Sequence, residues 1–233
     1  MVSLRKLILF NTPIGNLKDI TLNFLEKIKE VDLLLVENPS KTIKLLNYYN
    51  IKKRMITYHE SEWYRSGEKV ISYLSRYEIV GFMSSAGSPN IEDPPVNLVK
   101  YCITNGIEVE ILPGPSALCA ALSLSPLPYT PFIFLGFLDK KNKFIDHIQK
   151  VPDFVKSIVF FESCHRIRKS INTIKSAFSS NFILILHELT KINQKIIFSR
   201  INQINQDMLP EKGEYTVILY LTRKEENHDS NTR

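Results

Sequence analysis

The sequence predicts an α/β protein of two domains, and three observations support that prediction. Short apolar runs alternate with helix-spaced segments through the first half, a pattern typical of βαβ units and a mainly parallel sheet. Prolines at positions 113, 115, 126, 128 and 131 then interrupt the pattern. Beyond them the runs are longer and fewer helices separate them, which predicts a mixed sheet with helices. We place the domains at residues 1–113 and 114–224, with a polar tail at 225–233.

Each element of the first half follows from a local signal. Strands are predicted where apolar runs end in turn residues, at 6–10, 33–36, 55–58, 79–83 and 109–112. Helices are predicted between them where apolar residues recur at helical spacing, around 20–31, 42–49, 69–75 and 94–105. We expect Asp19 to cap the first helix, Asp93 and Pro94 to begin the fourth, and Gly106 to end it.

The second half is assigned by the same signals. Its predicted strands lie at 132–137, 157–161, 182–187, 195–198 and 215–221. Its predicted helices lie around 116–122, 143–150, 165–178 and 201–208. The polar residues from Lys224 onward are expected to fray.

Composition excludes several classes of protein. Hydrophobic residues make up 44% of the chain, as in a globular domain, and no apolar run is long enough to cross a membrane. Cys102, Cys119 and Cys164 lack the spacing of a zinc site or a disulfide framework, so we expect a reduced cytoplasmic setting and no metal. The net charge of +6 is compatible with an RNA partner but is equally common among metabolic enzymes.

Three loops each follow a predicted strand and each contain a glycine, at residues 12–17, 84–94 and 113–117. None matches the glycine pattern of a dinucleotide-binding turn or a P-loop. Ligands of parallel sheets lie beyond the carboxyl ends of the strands, where small residues let a ligand approach the backbone. One such loop is most simply a tight turn, but three at one edge predict a site for a carboxylate or a flat base.

These loops, with other strings in the same order, resemble the ribosomal RNA small subunit methyltransferase I family of the tetrapyrrole-methylase-like class. The resemblance runs from about residue 6 to residue 222. It rests on TPIGNLKDIT at 12–21, VE at 36–37, YHE at 58–60, SAGSP at 85–89, DP at 93–94, PGPSA at 113–117, GFL at 136–138, FES at 161–163, HR at 165–166 and ELTK at 188–191. TPIGNL and ELTK distinguish this family within the class.

The resemblance implies a two-domain tetrapyrrole-methylase-like fold with S-adenosylmethionine (SAM) in the cleft between the domains. It implies 2′-O-methylation of a cytidine ribose in the 16S rRNA of the small ribosomal subunit, by a cytoplasmic homodimer active in rRNA processing. Some members carry a further C-terminal segment that has no counterpart here, which would weaken or alter RNA docking. Asn38, Ser40 and Ser85 depart from acidic or basic residues of the family, which bears on substrate contacts.

The resemblance also assigns site residues. The implied cofactor contacts come from five segments: Pro13 and Gly15; Gly87, Ser88 and Ile91; Ser116 and Ala117; Phe161 and Glu162; and Gly213, Glu214 and Tyr215. Gly87, Ser88 and Ile91 would lie against the methionine part of the cofactor, and the residues from 213 to 215 near the adenine. Arg166, Arg168 and Lys191 are candidates for holding RNA phosphates, although exposed cations are often simply solvated.

A ribose hydroxyl becomes a good nucleophile only when its proton leaves, so a general base is expected. The candidate bases are Glu37, Glu60, Glu162, His165 and Glu188, with Glu37 preferred because it follows a strand end. Glu37 has an alternative interpretation, as a helix cap or an ion-pair partner. Two functional alternatives also stay open: carbon methylation of a tetrapyrrole, and a non-catalytic homologue that binds rRNA.

Overall fold

A computed structural model describes residues 5–139 and 144–221. The described residues form two compact units, unit 1 and unit 2, which divide between Ser116 and Ala117, whereas the sequence places the boundary between 113 and 114. The predicted tail at 225–233 and the first residue of the helix predicted at 143 lie outside the described residues. No helix in the described ranges is long and apolar enough to span a membrane.

Unit 1 is a five-stranded parallel sheet between two layers of helices, as predicted. Its strands are β1 Lys6–Phe10, β2 Leu33–Val36, β3 Met55–Thr57, β4 Ile79–Met83 and β5 Glu108–Leu112, in the order β3-β2-β4-β1-β5. Its helices are α1 Leu22–Glu30, α2 Pro39–Tyr48, α3 Trp63–Arg76 and α4 Val96–Thr104. Phe10 pairs with both Met83 and Leu112, so β1, β4 and β5 end at one edge.

The inner strands β2 and β4 are unbroken apolar runs because both faces of the sheet are covered, whereas the edge strand β5 carries Glu108 and Glu110. On one face, Leu7 and Leu9 pack with side chains from α3 and α4. On the other, Ile8 and Phe10 pack with side chains from α1 and α2.

The helix starts differ from the sequence predictions. Thr21, not Asp19, caps α1: its hydroxyl accepts a hydrogen bond from the Phe24 N–H at 3.1 Å. Asp93 and Pro94 do not begin α4, which starts at Val96. The reason is that a cap acts only from the residue directly before the first helical turn, and sequence spacing does not locate that residue. Gly106 ends α4 as predicted, with φ +69°.

Unit 2 contains the mixed sheet that the sequence predicts. Its strands are β6 Phe132–Phe137, β7 Ser157–Ser163, β8 Phe182–His187, β9 Lys195–Arg200 and β10 Glu214–Tyr220, in the order β6-β7-β10-β8-β9. Only the β6–β7 pair is parallel among these four pairings. Its helices are α5 Ala117–Ser123, α6 Phe144–Gln149 and α7 Ile167–Phe178.

The prediction of a helix at 201–208 is wrong. Two short 3₁₀ turns, Ile201–Gln203 and Gln206–Met208, take its place. Between them the Asn205 side chain accepts a hydrogen bond from the Asp207 N–H at 3.3 Å. A side chain that bonds the local backbone in this way competes with a continuous helix.

The two faces of the unit 2 sheet are covered by different helices. Tyr215, Val217 and Leu219 of β10 share a core with side chains of α7. Side chains alternate along a strand, so Tyr220 lies on the opposite face, which is also where α5 contacts β10. There the Tyr220 hydroxyl lies 2.6 Å from the hydroxyl of Ser125, just beyond α5.

Candidate functional site

The three glycine-bearing loops of unit 1 meet at the carboxyl ends of β1, β4 and β5. Thr12 and Gly87 exchange two backbone hydrogen bonds, each 2.9 Å long, which join the first loop to the second. The Asn11 side chain donates to the Ser88 hydroxyl at 2.6 Å and to the Pro115 carbonyl at 3.4 Å. Asn11 therefore links the first loop to both of the others.

At this edge Gly87 provides an unusual backbone conformation, not an unpaired N–H donor. Its φ of +76° is one that other residues adopt only at a cost, and its N–H and C=O are both paired with Thr12. Gly114 is needed for a different reason, since a Cβ there would lie 2.9 Å from the Cβ of Asn11. The two glycines let the loops come together without filling the space beside them.

Asn11 has an unmet hydrogen-bonding group. Its side chain is 8% exposed, and its Oδ1 has no partner among the described residues. An ammonium or hydroxyl donor brought by a ligand is the kind of group that satisfies such an oxygen. Asn11 is not among the site residues that the sequence predicts. Its position directly after β1 was the available signal.

Two acidic residues hold the neighbouring loops of unit 1. Glu37, directly after β2, accepts a hydrogen bond from the Ser85 N–H through Oε2 at 2.8 Å. Glu60 has both oxygens engaged, by the Tyr58 hydroxyl at 2.7 Å and the Asn97 N–H at 2.8 Å. Burial, with the bond to Glu60, raises the pKa of Tyr58 above its usual value. Of the two candidate bases in unit 1, Glu60 uses both carboxylate oxygens in these hydrogen bonds, whereas Glu37 uses only Oε2.

Glu162 and Arg166 in unit 2 are bound to each other. Glu162 is 1% exposed, and its Oε1 lies 2.7 Å from the Arg166 guanidinium. Ser170 donates to Oε2 at 2.7 Å, and Arg166 also donates to the Leu138 carbonyl at 2.7 Å. These bonds account for both side chains without cofactor or phosphate, which removes Glu162 as a base in this conformation.

Phe161 lies in a partly exposed aromatic cluster on the α5 face of the sheet. Its ring centroid is 5.0 Å from that of Phe134 and 5.7 Å from that of Phe137. Phe161 pairs with Thr216 in register, and the alternation along β10 puts Thr216 on the same face as Tyr220. Phe161 and Glu162 therefore point to opposite faces, although the sequence grouped them together.

The segment from 213 to 215 is fixed by contacts within unit 2. Gly213 has φ +100°, and a Cβ there would lie 2.6 Å from His187 Nε2 and 2.7 Å from Glu188 Cδ. The Glu214 N–H donates to Glu188 Oε1 at 3.0 Å. The Tyr215 hydroxyl donates to the Pro210 carbonyl at 2.6 Å, and burial raises the pKa of Tyr215 to about 12.

Lys191 lies between two carboxylates. Its ammonium is 2.7 Å from Glu188 and 3.3 Å from Glu214. Burial works to raise the pKa of Glu188, but the hydrogen bonds from Lys191 and the Glu214 N–H hold it below its usual value. With two carboxylates on one ammonium, this group carries no surplus positive charge for a phosphate.

The depressed pKa of Glu188 predicts an acid-sensitive contribution to stability. A group whose pKa is lower in the folded state stabilises fully above its unfolded pKa, roughly 4.3, and loses that effect as the pH falls through the folded value. We expect Glu188→Gln to melt below the wild type at about pH 6 and the gap to narrow below about pH 4. Thermal melts across this range measure it. A constant difference in melting temperature, or the same narrowing for Glu26→Gln at an exposed position of α1, would contradict the prediction.

No group of three or more His, Cys, Asp or Glu side chains within residues 5–139 and 144–221 is arranged to hold a metal ion.

The sequence model of the tetrapyrrole (corrin/porphyrin) methylases matches residues 6–205. A protein named ribosomal RNA small subunit methyltransferase I from Thermotoga maritima is 37% identical over 216 residues, covering 92% of this chain and 97% of the relative. The Bacillus subtilis protein of the same name is 32% identical, covering 94% of this chain and 76% of its own length.

Solved structures show the same fold at low identity. The methyltransferase CobJ superposes with a TM-score of 0.64 at 16% identity, covering 93% of both chains. Uroporphyrin-III C-methyltransferase from Thermus thermophilus, in complex with S-adenyl homocysteine, gives 0.64 at 14% identity, covering 92% of this chain and 96% of that one. Diphthine synthase gives 0.65 at 13% identity, covering 91% and 89%.

Proposed function

This chain is a methyltransferase of the tetrapyrrole (corrin/porphyrin) methylase family, and we propose that it methylates the 2′-hydroxyl of a cytidine ribose in 16S rRNA. S-adenosylmethionine is its cofactor, as in the family. The observation that carries the substrate is the similarity, across nearly the full length of each, to ribosomal RNA small subunit methyltransferase I of Thermotoga maritima. The proposal includes action in the cytoplasm and assembly as a homodimer. Light scattering of the purified protein would measure the oligomeric state.

The residues at the unit 1 edge fit this cofactor. The methionine part of SAM carries an ammonium and a carboxylate, and the buried Asn11 Oδ1 is an acceptor with no partner among the described residues suited to the ammonium. Gly87 and Gly114 keep side chains out of the space where the loops join. We assign to the cofactor Pro13, Gly15, Gly87, Ser88, Ile91 and Ser116 of unit 1, with Ala117 and Phe161 of unit 2. The other residues that the resemblance places at the cofactor stay predictions: Glu162, Gly213, Glu214 and Tyr215.

When bound, the cofactor supplies a methyl group already activated by its sulfonium charge. The protein then has two tasks: to hold the ribose oxygen in line with that methyl and to accept the hydroxyl proton. We assign the second task to Glu37, whose Oε2 is anchored by the Ser85 N–H. That anchor fixes the carboxylate on the second loop and leaves Oε1 as the proton acceptor.

Glu37→Gln tests this role directly. The amide can keep an acceptor oxygen for the Ser85 N–H but cannot take a proton, so we expect kcat to fall about 10²–10⁴-fold. The affinity for S-adenosylhomocysteine should change little. Glu26→Gln, which changes an exposed carboxylate on α1, is the matched control and should retain activity. Equal kcat values for the two variants would remove Glu37 as the base.

Methyl transfer to ribosomal subunits tests the proposed function itself. Purified protein, labelled SAM and small subunits from a strain lacking the modification should give label on a cytidine 2′-oxygen. No incorporation, with cofactor binding intact by calorimetry, would refute the substrate. A coloured macrocycle that co-purifies with the protein would favour a tetrapyrrole instead, and failure to bind cofactor would favour the non-catalytic homologue.

A further inference from the structure

A cavity lies in unit 2, at the end of the sheet where β8 ends and β10 begins. Its volume is about 420 Å³, within the range of pockets that hold small molecules. It is lined by His187 and Glu188 from the end of β8, Gln194 and Lys195 from the turn and start of β9, and Lys212 and Gly213 before β10.

This cavity is on the opposite face of the sheet from the unit 2 residues assigned to the cofactor. The His187 ring packs on Tyr215, with 4.7 Å between centroids, and Tyr215 belongs to the core beneath α7. Phe161 and α5 lie on the other face. Ala117 and Phe161 therefore do not line this cavity, whereas the resemblance places Gly213, one of its lining residues, near the adenine. Whether the cavity variant described below keeps or loses S-adenosylhomocysteine binding separates the two assignments.

His187 shows that the hydrogen bonding at the cavity is incomplete. The side chain is 4% exposed, and its Nε2 lies 2.7 Å from the Lys212 carbonyl. A carbonyl only accepts, so Nε2 carries the proton and Nδ1 is an acceptor. Nδ1 has no hydrogen-bond partner within the described part of the chain. Buried polar atoms are rarely left in this state, and a ligand with an N–H or O–H group would complete the set.

The rest of the lining combines three kinds of polar group. Gln194 Oε1 accepts from the Thr190 N–H at 2.7 Å, which fixes the amide and leaves its NH₂ group as the donor. Glu188 is a carboxylate acceptor held by Lys191. Lys195 and Lys212 are exposed cations at the rim. A nucleotide matches this set, because its base carries amino donors and ring acceptors and its phosphate is an anion.

We propose that this cavity binds one nucleotide of a single-stranded RNA, with His187 and Gln194 recognising the base and Lys195 and Lys212 holding phosphates. A free nucleotide has the same chemistry. The RNA is favoured because the proposed function, on which this inference rests for its ligand, supplies an RNA substrate.

The test compares two doubly charge-reversed variants by fluorescence anisotropy with a labelled oligocytidine. One variant carries Lys195→Glu and Lys212→Glu at the cavity. The control carries Lys150→Glu and Lys169→Glu, exposed lysines of the same unit that do not line the cavity. We expect the cavity variant to bind about tenfold more weakly or worse, with a shallower salt dependence, and the control to lose less than about twofold. Thermal melts confirm that both variants fold.

A neutral variant tests the base contacts separately. Cytosine carries an amino donor beside an N3 acceptor, whereas uracil carries an O4 acceptor beside an N3–H donor. An acceptor at His187 together with the Gln194 amide donor should therefore make the wild type prefer oligocytidine to oligouridine. Gln194→Ala should narrow that preference with little change in salt dependence. No preference in the wild type would overturn the assignment of the base contacts.

Three other results would overturn the proposal. They are equal losses in the two double variants, cytidine monophosphate binding as tightly as the oligonucleotide, and loss of S-adenosylhomocysteine binding in the cavity variant alone. RNA binding is measured without cofactor, so its outcome is independent of methyl transfer. A wild type that binds RNA through the cavity but transfers no methyl group would refute the proposed function and leave this inference standing.

Discussion

Gly213→Ala is expected to lower the free energy of unfolding by about 2–5 kcal/mol. Two effects add. The φ of +100° disfavours any side chain, and the new Cβ would lie 2.6 Å from His187 Nε2 and 2.7 Å from Glu188. These neighbours cannot move away without losing contacts, because His187 is buried and Glu188 is bound by both Lys191 and the Glu214 N–H.

Gly106→Ala separates the two effects. Gly106 has φ +69°, and a Cβ there would meet no atom within 4 Å. This variant therefore reports the cost of the left-handed conformation alone, about 1–2 kcal/mol. Urea unfolding of both variants measures the difference. Equal losses would show that the packing around Gly213 relaxes and that its role is purely conformational.

Gly87→Val is expected to weaken S-adenosylhomocysteine binding by about 100-fold or more, since about 2.7 kcal/mol of lost contact is enough. The side chain would enter the edge where the three loops meet. The sequence alone predicts an intact fold for this variant. The φ of +76° and the paired hydrogen bonds to Thr12 add a stability cost, because valine at this φ strains the backbone that joins the loops.

Gly106→Val is the matched control for this effect. It places valine at a similar left-handed φ, +69°, well away from the loops. We expect a comparable loss of stability and no change in ligand affinity, both measured by calorimetry. A folded Gly87→Val protein with wild-type affinity would mean that the cofactor does not bind at this edge.

The strands were predictable because their signal is local. Runs such as 7–10 and Leu33–Val36 are apolar throughout, which requires a sheet covered on both faces. The alternation with helices then required parallel strands, and parallel strands required the three loops to share an edge. The family was equally predictable from the sequence, since motifs such as TPIGNL and ELTK are contiguous strings.

Contacts between residues distant in sequence were not predictable. Asn11 bonds Ser88 and Pro115, and Glu162 turns away from its neighbour Phe161 to meet Arg166 and Ser170. The predicted starts of α1 and α4 were wrong for a related reason, since a cap depends on backbone angles that the spacing of residues in the sequence does not reveal.

The order of strands and helices, the edge at which the loops end and the family all follow from the amino-acid sequence, because periodicity and contiguous motifs are properties of the chain. Which polar groups find a hydrogen-bond partner depends instead on how the folded chain brings distant segments together. Hydrogen bonds at His187 and Asn11 depend on atoms that folding brings within 3.5 Å from elsewhere in the chain. The cavity beside His187 is defined in the same way, by segments before and after β9 that meet only in the folded protein.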